Sequence, residues 1–222
     1  MDRRRSRSPG LLALAAAAGF VDAVSYMGFG RVFTANMTGN TVLLGVALAR
    51  GRGIDAARAA AALAGFCIGV AMGVRAMRRG ADGWPRIAAP ALALEATALA
   101  GLLICWALAG SDARYVLIGT SAIAMGLQSA ATRAAAAGVN TTYITGTLTN
   151  AITRLLGEGA RGSRPERAET ALPAGILAIY AGGALAGGFA EFAWRAGSML
   201  VPTAIVAALA ATGMRARRPG RR

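Results

Sequence analysis

The chain contains no histidine and no lysine, so all 24 of its basic residues are arginine, set against only ten acidic ones. Without an imidazole, a His-ligated metal site, a Ser-His-Asp triad and a Cys-His pair are all excluded. Cysteine is nearly as scarce: Cys67 and Cys105 both lie inside apolar runs, where a thiol behaves as a small hydrophobe, and both read as packing residues. Aromatic residues make up 6% of the chain and charged residues 15%. The missing lysine, beside an excess of alanine, reads as a GC-rich codon bias before it reads as chemistry. With so few reactive groups no cofactor and no metal is expected, and a membrane enzyme ranks behind the non-enzymatic readings.

What the chain has in quantity is apolar sequence: 55% of its 222 residues are hydrophobic and the mean hydropathy is +0.50. Charges sit in short clusters between long apolar runs instead of alternating with them, as on amphipathic helices of a soluble core. This pattern predicts an all-α, polytopic transmembrane helix bundle in a bacterial cytoplasmic membrane. A formal net charge of +14 invites nucleic acid as a partner, but the arginines flank apolar spans. Anionic lipid headgroups are therefore the expected contacts of the basic clusters, within a lipid bilayer and with no nucleic acid.

The first apolar run, Leu11 to Phe29, follows Arg3, Arg4, Arg5 and Arg7. Its 19 residues reach roughly 28 Å, enough for the hydrocarbon core. A basic start followed by an Ala/Leu run also has the shape of a signal peptide, but the further runs favour its retention as a span. Those runs are Ala59 to Val74, Ile87 to Ala109, Tyr115 to Ala131, Ala171 to Phe189 and Met199 to Met214, giving six spans with the first. Two segments between them, Val32 to Ala49 and Val139 to Ile152, are too polar at their beginnings for ordinary lipid-facing helices.

These two segments are related. Gly19 and Gly126, Val32 and Val139, Thr34 and Thr141, Thr38 and Thr145, and Gly39 and Gly146 are all 107 residues apart. Gly65 and Gly73 match Gly175 and Gly183 at an offset of 110, and Pro90 and Gly101 match Pro202 and Gly213 at 112. An internal duplication follows, each unit holding a span, a Thr-Gly segment and two more spans. The expected organisation is a basic cytoplasmic tail over 1–10, one repeat over 11–109, a second over 115–214 and a second basic cytoplasmic tail over 215–222.

If the Thr-Gly segments are broken or re-entrant helices, each unit crosses three times and the copies are inverted; if they cross fully, each unit crosses four times and the copies are parallel. Arginine counting places 18 residues inside and 6 outside in the first arrangement, and 17 and 7 in the second, so it does not separate them. Both place the two termini in the cytoplasm. The polarity of the segments favours six crossings, because polar backbone at membrane depth is tolerated only against protein or a water-filled cavity.

The Thr-Gly segments are also the first candidates for chemistry. Gly39 and Gly146 allow a helix break, and Asn36, Thr38, Asn40, Thr142 and Thr145 supply uncharged donors and acceptors. Paired breaks in two halves are the pattern of a transporter's midplane binding site, and Gln128 stands beside it. The same residues also glue helices together in a non-transporting scaffold or partner subunit. Asp22, about twelve residues into the first run, costs several kcal/mol at that depth unless paired or protonated, so it is a candidate coupling group or half of an ion pair with Arg133. Glu95, among Ala, Leu and Thr, is a further candidate for proton coupling. Gly65, Gly69 and Gly73 form a small-residue ladder for helix packing. A small-molecule or ion substrate and a homo-oligomer are compatible with all of this.

The string GFVDAVSYMGFGRVFTANMTGN, followed about a hundred residues later by GLQSAATRAAAAGVNTTYITGTLTN, resembles the YoaK family of bacterial membrane proteins, whose function is unknown. The Asp-Ala pair, the Phe-x-x-x-Met-Thr-Gly-Asn run and the later Thr-x-x-x-Thr-Gly carry the resemblance. It implies a chain of similar length with about six transmembrane segments, and it implies no substrate. Ser129 and Asn150 stand where many relatives carry Asn and Asp.

Overall fold

The computed structural model describes residues 8–78, 83–135 and 164–217, and these are mostly helical, with no strand among them. The second Thr-Gly segment, with Thr142, Thr145 and Gly146, lies outside the described residues. Helix α1 (Ser8–Val24) runs on into a π-helical turn over Ser25–Gly30. Then come α2 (Met37–Ala49), α3 (Gly53–Met77), α4 (Ala89–Ala109), α5 (Arg114–Ala135), α6 (Arg164–Trp194) and α7 (Leu200–Arg217). Each apolar run of the sequence that falls on described residues is a helix, because uninterrupted Ala, Leu and Val favour that state and a helix bonds all its own backbone groups, as lipid requires. Among the described residues four stretches are long and apolar enough to cross a bilayer, the last of them, Gly175–Ala216, taking in parts of both α6 and α7. Many large apolar side chains are left outside, among them Phe192 at 85% exposure.

Two helix pairs pack backbone to backbone. On α3, Gly65, Gly69 and Gly73 are buried and face α5: a Cβ on Gly69 would overlap the Ile123 carbonyl, and one on Gly65 would lie 2.9 Å from the Gly119 carbonyl. On α1 and α6, a Cβ on Gly19 would overlap the Tyr180 carbonyl, while Gly183 and Gly187 meet the carbonyls of Ala16 and Phe20. The ladder read from the sequence is thus one side of a close helix–helix contact, in which small residues let dispersion contacts and lipid release replace the hydrophobic effect.

The contacts also fix directions. Residues 65, 69 and 73 meet 119, 123 and 127 in ascending order, so α3 and α5 are parallel; 16 and 20 meet 183 and 187, so α1 and α6 are parallel. Gly213 near the end of α7 approaches Pro85 and Ala89 at the start of α4, so that pair is antiparallel. Helix α5 runs antiparallel to α1, since Gln128 bonds Leu14 near the start of α1 whereas Ser121 bonds Thr34 beyond its end.

Candidate functional site

The break after α1 is built locally. Gly30 at φ 120 and Arg31 at φ 61 turn the chain back on itself, and the Arg31 N–H bonds the Tyr26 carbonyl at 3.0 Å. Residues 31–36 are non-helical and return along the π-helical turn. By the time they reach Thr34 and Ala35 they are level with Asp22, roughly 10 Å below Gly30 at helical rise. From there α2 climbs away with Asn36 as its N-cap, the side chain accepting the Gly39 N–H at 3.2 Å.

Asp22 pins this return. Its side chain is 2% exposed; Oδ1 accepts the N–H groups of Thr34 and Ala35, both at 2.7 Å, and Oδ2 accepts the Tyr180 hydroxyl from α6. A carboxylate holding backbone donors that no helix can satisfy solves two burial problems together: the orphan amides and the buried acid. A second polar knot lies one turn on. Ser25 Oγ donates to the Val21 carbonyl at 2.7 Å and meets Thr34 Oγ1 at 3.0 Å, and Ser121 Oγ of α5 donates to Thr34 Oγ1 at 2.9 Å. The non-helical stretch is therefore tied directly to α1 and α5, and through Asp22 to α6.

Beside it opens a cavity of about 650 Å³ whose polar lining residues are Asp22, Asn36, Tyr26 and Tyr180, with Phe33 and Phe189 among its apolar walls. Tyr26 and Phe33 stack there at 5.1 Å between ring centroids.

The residues singled out from the sequence divide into groups. Asp22 and Asn36 meet at this cavity. Gly39 and Asn40 do not line it: Gly39 packs on the Phe33 ring, and buried Asn40 clamps the Phe33 backbone, accepting its N–H at 2.9 Å and donating to its carbonyl at 2.6 Å. Both hold the return stretch in shape. Thr38 is exposed on α2. Gln128 is buried at the far end of α1, donating to the Leu14 carbonyl at 2.9 Å. The ion pair of Asp22 with Arg133 does not form, for Arg133 is exposed on the last turn of α5, beyond Gln128, and the donors to Asp22 are two amides and a phenol. Glu95, 0% exposed on α4, stands apart from the cavity, and neither of its oxygens has a hydrogen-bond partner among the described residues.

Tyr180 and Thr34 were not singled out as site residues. Tyr180 is a lone phenol on an Ala/Gly-rich helix face, a signal the sequence does carry. Thr34 is one of several threonines in its segment, and nothing in the sequence distinguishes it from Thr38, which like it has a counterpart 107 residues on.

Over 178 residues the chain is 33% identical to the UPF0700 transmembrane protein YoaK of Bacillus subtilis (strain 168), a match that takes in 78% of this chain and 79% of the relative. No solved structure matches. Residues 10–212 match the family model described as Protein of unknown function (DUF1275), and the chain belongs to that family, the one its Thr-Gly motifs resemble.

Proposed function

We propose that this protein is a small secondary transporter or exporter of the cytoplasmic membrane, with six crossings, two inverted halves and a re-entrant segment over 31–49 that forms one wall of its binding site. The observation that carries the reading is a polar, non-helical stretch pinned at Asp22 and opening on a cavity of about 650 Å³. Non-helical backbone is tolerated at membrane depth where protein or a water-filled cavity covers it.

The helix directions support the crossing number. Since α1 opposes α5 and α5 accompanies α3, α1 and α3 point in opposite directions, so the segment between them begins and ends at one end of the bundle. Helix α2, with 13 residues, is about 20 Å long, short of the roughly 30 Å hydrocarbon core. The inverted repeat is supported by the glycine contacts. Gly69 meets Ile123 as Gly183 meets Ala16, and Gly73 meets Leu127 as Gly187 meets Phe20; the carbonyl partners differ by 107 in each case. The first span of each half thus packs on the second span of the other. The arginine distribution then puts both termini in the cytoplasm, with their basic clusters against anionic headgroups.

The cavity lining holds one carboxylate and no arginine, which favours a small molecule of low charge, and Asp22 is the coupling group. A scaffold or partner subunit is the second reading, favoured by the full engagement of both Asp22 oxygens with protein donors. The two differ in solvent access. With Cys67 and Cys105 replaced by serine, a cysteine introduced at Ala184, a lining position, is expected to react with a membrane-impermeant thiol reagent from both faces, in intact cells and in inside-out vesicles. Protection from both faces would overturn transport through this cavity and leave the scaffold.

A further inference from the structure

At the end of the bundle where the chain turns back, five arginines from four separate segments converge. Arg31 follows the π-helical turn, Arg50 and Arg52 lie between α2 and α3, Arg58 is on α3 and Arg114 opens α5. Arg31, Arg50 and Arg52 line a second, smaller cavity of about 190 Å³ together with Gly30 and Asp55. Arg58 and Arg114 run against the same Gly30, where a Cβ would lie 3.1 Å from the Cδ of each.

Among the described residues the charge of this cluster is not neutralised. Asp55 bonds Arg52 Nε at 2.7 Å and Arg58 Nη1 at 3.3 Å. Among the described residues no other carboxylate comes within 4.0 Å of these guanidiniums, although Asp112 and Glu191 lie toward the same end. The Nε atoms of both Arg58 and Arg114 are buried without a hydrogen-bond partner among the described residues. A buried guanidinium N–H without an acceptor is an open valence for an anion. Arg31, moreover, holds its charge at φ 61, a left-handed backbone that glycine or asparagine adopts with less strain.

We infer that this cluster binds a phosphate group between Arg31, Arg50, Arg58 and Arg114. A phosphate offers oxygen acceptors in several directions, and arginine forks bind such groups in charge-assisted pairs. The group comes from a soluble phosphate or from a phospholipid headgroup, and the site does not depend on the transport reading. It is separate from the terminal basic clusters, which lie at the other end of α1 in the six-crossing arrangement.

The test uses the full chain, with thermal unfolding followed by tryptophan fluorescence. One arm adds inorganic phosphate in dodecyl maltoside at constant ionic strength. The other compares nanodiscs of phosphatidylcholine with nanodiscs that also contain phosphatidylglycerol. The variants are Arg31→Gly, which suits the left-handed backbone and folds readily, and Arg50→Gln on the exposed turn. A midpoint raised by a few degrees with phosphate, and lost in either variant, supports a soluble ligand. The same pattern with phosphatidylglycerol alone supports a headgroup. No rise in either arm, or a rise of equal size in both variants, overturns the site.

Discussion

Replacing Asp22 by alanine strands three buried donors: the N–H groups of Thr34 and Ala35 and the Tyr180 hydroxyl. Each unsatisfied buried donor costs about 1–3 kcal/mol, and water entering the vacated space recovers part of the sum, so Asp22→Ala is expected to destabilise the fold by roughly 4 kcal/mol. Asp22→Asn keeps an oxygen for the two amides and turns an NH₂ toward the phenol, whose oxygen then accepts. Only the charge assistance is lost, for a cost of about 1–2 kcal/mol. Tyr180→Phe removes one of the three bonds and should cost about 1 kcal/mol. Unfolding in mixed micelles of dodecyl maltoside and dodecyl sulfate, read by the fluorescence of Trp84, Trp106 and Trp194, gives all three values. The double variant Asp22→Asn/Tyr180→Phe measures the coupling directly. If Asp22→Ala falls within about 1 kcal/mol of the parent, or if asparagine is as costly as alanine, Asp22 does not pin the return stretch.

Other substitutions test the packing. Gly69→Leu drives a side chain into the Ile123 backbone and is expected to abolish a folded, monodisperse peak in size-exclusion chromatography. Gly45→Ala, where a Cβ meets nothing within 4 Å, should be neutral or raise stability by up to about 1 kcal/mol through helix propensity; a loss there would mean that α2 carries a hidden contact. Thr34→Val leaves the Ser25 and Ser121 hydroxyls without their shared partner and should cost about 1–2 kcal/mol in the same unfolding assay. Glu95→Leu exchanges a fully buried carboxyl with no partner among the described residues for an apolar side chain and is expected to hold or raise the unfolding midpoint. A fall would reveal a partner for Glu95.

The helices were legible in the sequence because each is written as an apolar run between arginines, a signal that needs no knowledge of neighbours. Asp22 was legible for the same reason, since a charge in such a run stands out by depth alone. Its partners were not. Arg133 was the electrostatic choice along the sequence, but the acid satisfies backbone amides that exist only because the chain folds back eight residues after it, and no pattern in the residues announces that reversal beyond Gly30. Asn40 illustrates the converse: its type suggested a ligand, whereas its geometry makes it a clamp on Phe33. In the inverted-copy reading, the second spans match at an offset of 114, pairing Gly69 with Gly183 and Gly73 with Gly187. The 110 offset read from the sequence paired Gly73 with Gly183. Glycines four apart repeat at the helical turn, so along the sequence two pairings one turn apart score alike.

In the arrangement proposed above, residues 31–49 enter the membrane and leave it on the same side, which makes six crossings and inverted halves. Topology mapping tests it most directly, with reporters fused after Arg52 and after Arg78 and a third at the carboxyl terminus. With that terminus inside, Arg52 is expected outside and Arg78 inside; Arg52 inside and Arg78 outside would make α2 a full crossing and the two halves parallel, and would refute the re-entrant segment.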